Sequence, residues 1–196
     1  MNSKFGYPKD QIIYDSETST IFALGQDKLH IIDKGYSKTE VELPDSCTGR
    51  YLQLAYASKT SQIFVKNKLD EVFVLDISQP QEGFKSFFKL ENDNLSGDFI
   101  NEIIVLKEKY LLILTVSGRI IIKEKAGNTI LDANLNEFDK QEHPSKYFEA
   151  RVGFEDKYLV VATMHNNENE SASRLAVYEL GSDLKTVKLV EQVNMS

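Results

Sequence analysis

Apolar residues in this chain come in short runs separated by polar turns, and the runs recur in a fixed order. Four of them align without gaps: LHIID (29–33), VFVLD (72–76), IIIKE (120–124) and LAVYE (175–179). Each is a β-branched or aliphatic segment closed by an acid. The closing acids Asp33, Asp76, Glu124 and Glu179 are 43, 48 and 55 residues apart. Drift of this kind is what loop insertions add to a structural repeat whose strand cores stay in phase.

The flanks repeat as well. A second apolar run precedes each aligned segment: TIFALG from Thr20, QIFVKN from Gln62, YLLILTVSG from Tyr110 and YLVVATMH from Tyr158. Before each of these lies a polar turn (DSETS, ASKTS, KEK, EDK), and before the turn another apolar run: QIIY, YLQLAY, EIIVL and FEARVGF. Downstream of each closing acid a glycine (Gly35, Gly83, Gly127, Gly181) predicts a tight hairpin with positive φ. A fourth strand follows each glycine: TEVEL, KSFFKL, TILDANL and VKLVEQV.

The pattern therefore predicts four strands joined by turns, repeated four times, with units spanning about 8–43, 51–90, 100–135 and 147–193. No window carries a convincing helical stripe. Residues 134–147, where Leu135 and Phe138 have helical spacing but Pro144 intervenes, read as an inter-repeat loop. Tandem four-stranded antiparallel units of this length predict an all-β chain of β-propeller blades forming one domain over 1–196. One blade cannot bury both its faces, so neighbours stack. The wholly apolar YLLILTV and YLVVAT read as strands buried on both sides. The last unit ends at Val193, which leaves a small closed four-blade ring, a propeller portion of a longer chain, or a ring whose open side a partner covers. The exposed edges of an incomplete ring favour the last two.

The third strand with its closing acid resembles the WD-repeat family, in which that strand ends in a Trp-Asp pair. Here the aromatic position holds Ile32, Leu75, Lys123 and Tyr178, and the acid position Asp33, Asp76, Glu124 and Glu179. The Gly-His pair that opens such repeats is missing from all four units, and the chain has no tryptophan. The resemblance implies a WD-repeat-like propeller acting as a scaffold in multi-protein assemblies.

Composition narrows the function classes. A formal charge of −7 argues against direct binding to nucleic-acid backbones, which requires many phosphates to be neutralised by Lys and Arg. The single cysteine, Cys47, allows no internal disulfide and suits a reducing compartment. The opening MNSKFGYPKD has no apolar signal core, and no apolar run reaches the roughly 18 residues of a membrane helix. The expected location is the cytoplasm or nucleus.

Candidate chemistry is sparse. His30 sits within a strand and His143 and His165 in loops, without metal-ligand spacing. Cys47 would be reactive only if a cation such as Arg50 lowered its pKa; otherwise it is an ordinary loop thiol. ENDNLSGD (91–98) has a calcium-loop look, but its twelfth position is Ile103, where a carboxylate is required. Ser117-Gly118 reads as a hairpin turn. No cofactor is implied. One pattern concerns binding: the residue before each third strand is Lys28, Glu71, Arg119 and Arg174, so three of four would present a cation on one rim. Such a rim, with Arg50, could dock an acidic or phosphorylated segment.

The reading that best fits these features is a non-catalytic protein-protein interaction scaffold whose contact segments are 45–50, 91–98 and 136–146. Its partners would be other protein subunits, one of which could close an open propeller edge. The alternatives are a propeller-type metal-dependent hydrolase or lactonase, and an accessory RNA-engaging subunit of an enzyme complex.

Overall fold

The computed structural model describes residues 12–47, 52–91, 98–138, 146–166 and 171–195, with backbone only at 148, 165, 166, 171 and 172. Its strands form four four-stranded antiparallel sheets, each a meander of consecutive strands, which is the construction of propeller blades. The chain divides into two compact units, residues 1–89 and 90–196.

The first unit holds two sheets. Strands β1 (Ile12–Asp15), β2 (Thr20–Leu24), β3 (Lys28–Ile32) and β4 (Lys38–Glu42) make the first. Strands β5 (Gln53–Ala57), β6 (Gln62–Lys66), β7 (Glu71–Asp76) and β8 (Lys85–Lys89) make the second. One apolar cluster joins Phe22, Leu29 and Val41 of the first sheet to Leu54, Ile63, Val65 and Leu75 of the second, with Cys47 among them. The two first strands, β1 and β5, meet, and Tyr56 Oη donates to Asp15 Oδ2 at 3.2 Å. Burial, then the adjacent Asp15 carboxylate, pushes the Tyr56 phenol up to about 12.

The second unit repeats this plan. Strands β9 (Ile100–Leu106), β10 (Tyr110–Thr115), β11 (Arg119–Lys123) and β12 (Thr129–Asn134) make the third sheet. Strands β13 (Lys146–Gly153), β14 (Tyr158–Asn166), β15 (Ser171–Leu180) and β16 (Val187–Met195) make the fourth. Leu112, Leu114, Ile120 and Ile122 interlock with Tyr147, Leu159, Val161, Ala176 and Tyr178 in one core. Each such buried side chain contributes about 1.5–3 kcal/mol. Again the first strands meet: buried Glu102 on β9 accepts the Ala150 N–H of β13 at 2.6 Å and a bond from Arg151 Nη1 at 2.8 Å.

The closing acids have a local task. Asp33 Oδ1 accepts the N–H groups of Gly35 and Ser37, and Asp76 Oδ1 that of Ser78, so each carboxylate caps the turn after its strand. Glu124 instead takes the Asn128 side-chain amide, and Glu179 pairs with Lys157 at 3.1 Å. The Glu124 side chain thus bridges its own turn, and that of Glu179 reaches the turn before β14.

Four expectations need correction. Of the glycines after the closing acids, only Gly83 and Gly127 have positive φ; near Gly35 and Gly181 the left-handed residues are Tyr36 and Leu184. Strand β10 is buried at Leu111 through Thr115, on both faces, but among the described side chains of β14 only Leu159, Val161 and Thr163 are buried, with Val160 and Ala162 half-buried. It has one covered face. His165 lies within β14 and not in a loop, because the β14–β15 pairing runs on to Asn166 and Ser171. The stretch after β12 is not irregular throughout: Leu135–Glu137 forms a 3₁₀ turn capped by the Asn134 side chain, and β13 begins at Lys146.

Candidate docking site

The residues singled out ahead of the third strands are inside those strands. Lys28, Glu71 and Arg119 are the first residues of β3, β7 and β11, and Arg174 is the fourth residue of β15. The fourth strand of each sheet lies beside them, and its composition decides what each does.

In the first sheet Lys28 faces Glu42 in register, and its Nζ lies 3.1 Å from Glu42 and 3.2 Å from Glu40. The Glu42 and Glu40 carboxylates raise the Lys28 pKa. In the second sheet the signs are reversed: Glu71 faces Lys89 at 2.8 Å, and hydrogen bonds from Lys89 and Asn67 lower its pKa. In the third, Arg119 grips Asp132 with two bonds, from Nε at 2.8 Å and Nη2 at 2.7 Å. This pairing raises the Arg119 pKa and lowers that of Asp132.

The fourth sheet breaks the pattern. Arg174 faces Asn194 in register, as Arg119 faces Asn134, but where Arg119 reaches diagonally to Asp132 the residue at the equivalent place beside Arg174 is Gln192. Its Nε and Nη1 are shut off from solvent and meet no acceptor. Its other neighbour in register is Thr163, 3% exposed, whose hydroxyl also has no partner. Tyr147 completes the row on the far side of Thr163, so Tyr147, Thr163, Arg174 and Asn194 run across the sheet. Thr163 follows Leu159 and Val161 at alternate positions on the buried face. A hydroxyl in that series is the signal in the sequence that could have marked this row.

Lys28 lies in the first unit and Arg119 and Arg174 in the second, on neighbouring sheets. Arg50 and His143 are outside the described residues, as are 48–50, 92–97 and 139–145 of the contact segments. The described ends of those segments bond within the chain. Asp98 accepts the Ser117 N–H at 2.9 Å and its hydroxyl at 2.7 Å. Asn136 donates to the Ser117 carbonyl and accepts from Tyr147 Oη at 3.1 Å.

Cys47 is not a reactive thiol. It closes the 3₁₀ turn Asp45–Cys47 with 0% exposure, and burial, then the Glu71 charge, pushes its pKa up to about 12. His30 Nδ1 stands 3.5 Å from Glu40 in a surface charge cluster. Among the described residues no three His, Cys, Asp or Glu side chains come together to hold a metal.

A cleft of about 530 Å³ lies at the opposite end of the fourth sheet from Arg174. Lys107, Asp156, Lys157, Glu179 and Lys188 line it. Several of its polar groups bond within the chain: Asp156 accepts the Lys107 backbone N–H, Lys107 Nζ donates to the Ser182 carbonyl, and Lys157 pairs with Glu179. Beside it Phe154, 83% exposed, stands edge-on to Tyr158 at 5.8 Å.

No protein-family model matches this chain, and no curated protein matches it in sequence. Solved structures do match. The chain is similar to an auxiliary nutrient binding protein from Bacteroides thetaiotaomicron VPI-5482, with a TM-score of 0.60 and 9% identity over 96% of this chain and 42% of that one. It therefore spans less than half that protein's length. It is also similar to the β-propeller domain of Myceliophteria thermophila Cps50 (Swd1), with a TM-score of 0.48 and 9% identity over 93% and 71% of the two chains. Among the described residues no helix is long and apolar enough to cross a membrane.

Proposed function

We propose that this chain is a non-catalytic protein-protein interaction scaffold, a WD-repeat-like propeller portion or subunit of a multi-protein complex of the cytoplasm or nucleus. The mechanism is rigid display. Hydrogen-bonded sheets with interlocked apolar faces hold hairpin turns in place, so a partner meets pre-organised side chains and little ordering entropy is lost on binding. Lys28, Arg50, Arg119 and Arg174 are the candidate charged contacts.

The single observation that carries the reading is the presentation of Tyr36 and Phe154. They are 90% and 83% exposed at hairpin tips, and both are held at left-handed φ, 61° and 53°. Bulky residues pay for that backbone conformation, by about 1 kcal/mol or more each. Exposed, pre-positioned aromatics are the side chains that anchor protein interfaces most strongly.

The test is affinity capture from the source cell with quantitative mass spectrometry, comparing the native chain with Tyr36→Asn and Phe154→Asn. Asn tolerates left-handed φ, so the fold is kept. Recovery of one stable complex by the native chain, reduced at least tenfold in the double variant, supports the scaffold. Repeated recovery of the folded chain alone overturns it.

A further inference from the structure

We infer that Arg174 and Thr163 form a built site for an Asp or Glu carboxylate supplied by a protein partner. This rests on the scaffold reading and names the chemistry of one of its contacts.

The inference starts from the orphaned donors. Arg174 Nε and Nη1 are closed to water and unbonded, and so is the Thr163 hydroxyl beside them. Facing residues on adjacent strands place their Cβ atoms about 4.5–5.5 Å apart, so guanidinium and hydroxyl address the same space. A guanidinium keeps its charge at any physiological pH and offers only donors. Leaving such groups dry and unpaired is costly, and native interiors leave few of them so. The missing component is an acceptor, and it must be anionic to balance the arginine.

The other sheets identify which anion. At the corresponding position Lys28 takes the carboxylates of Glu42 and Glu40, and Arg119 takes both oxygens of Asp132. Where the position is itself acidic, Glu71, the fourth strand supplies Lys89. Each of those sheets completes its own charge pair, and the cations do so with side-chain carboxylates. The fourth sheet offers Asn194 in register, as the third offers Asn134 to Arg119, and Gln192 at the place where the third has Asp132. An amide has no net charge, so the carboxylate has to come from outside the sheet. Thr163 adds a hydroxyl donor beside the guanidinium, as Asn67 adds its amide to the Glu71–Lys89 pair. A planar carboxylate, with two oxygens and about four lone-pair directions, suits a guanidinium edge plus one hydroxyl.

The experiment is a nitrogen-15 NMR titration of the full chain, following the Arg174 Nε–H resonance, which is assigned by its loss in Arg174→Lys. The probes are acetate, a Glu-rich octapeptide, and inorganic phosphate. The expected result is saturable movement of that resonance with acetate and, at lower concentration, with the peptide. Thr163→Val should weaken the peptide roughly tenfold, the worth of one hydrogen bond to a charged acceptor. No movement with any probe overturns the inference, as does movement with phosphate only. An Arg174 resonance already hydrogen-bonded and unresponsive would also overturn it, because a carboxylate of this chain would then fill the site. Failure here leaves the capture experiment on Tyr36 and Phe154 untouched, so the two readings fail separately.

Discussion

A Cβ placed on Gly118 would lie 2.2 Å from Cε2 of Tyr147, so the hairpin between β10 and β11 is closed down onto the tyrosine ring. Gly118 also has φ +89°, in the region that side chains avoid. Tyr147 is fully buried there and donates its hydroxyl to Asn136 Oδ1, while Asn136 holds the Ser117 carbonyl. Gly118→Ala should therefore destabilise the chain by about 2–4 kcal/mol, combining overpacking and backbone strain. Gly83→Ala is the control: φ is +71° but nothing lies within 4 Å, so only the strain, about 1 kcal/mol, should appear. Urea unfolding of the two variants separates these costs.

Glu102 is a buried acid that joins the first strands of two sheets. Glu102→Ala removes the acceptor of the Ala150 N–H and leaves that amide dry. Arg151 loses a partner too, but it is largely exposed and also pairs with Glu149 at 2.8 Å. The loss should be about 1–3 kcal/mol, dominated by the amide. Arg151→Ala should cost well under half of that, and denaturant midpoints of both variants check the order.

Cys47 should resist alkylation in the folded chain. With its thiol buried and its pKa pushed up to about 12, little thiolate exists at pH 8. Iodoacetamide labelling followed by mass spectrometry should proceed at the rate of unfolding and become fast only in denaturant.

Acid should weaken the first sheet through Glu40. Hydrogen bonds from Lys38, then Lys28, lower its pKa from the ordinary 4.5 to about 2. A carboxylate whose folded pKa is depressed adds stability that is fully present above 4.5 and is lost as pH falls toward 2. The group is at the surface, so salt should shrink the effect. Denaturant midpoints at pH 5 and pH 2.5 should converge in Glu40→Gln more than in the native chain, and 1 M salt should narrow the difference between the two proteins.

The strand order was legible because each third strand is closed by an acid, and in the first two sheets that acid, Asp33 or Asp76, caps the next turn. Local chemistry and long-range packing agree there. What escaped the sequence depends on neighbours distant along the chain. Glu102 sits in an apolar run and its purpose appears only with Ala150, 48 residues on. YLVVAT has the composition of a doubly buried strand, but its sheet is covered on one face, and periodicity within one strand cannot report that. The rim pattern named Arg174 but could not distinguish it from Arg119. That distinction lies in the fourth strands, where Asp132 answers one arginine and Gln192 holds the equivalent place beside the other.

The claim beneath all of this is that the four acid-closed runs are third strands of separate meander sheets. Nuclear Overhauser contacts in the folded chain test it directly. Cross-strand Hα and amide contacts should join Phe22 to Ile31, Phe64 to Val74, Leu112 to Ile122 and Val161 to Ala176, pairing each run with the strand just before it. Sequential contacts of helical spacing within any of those runs, or strand pairs formed between different sheets, would contradict it.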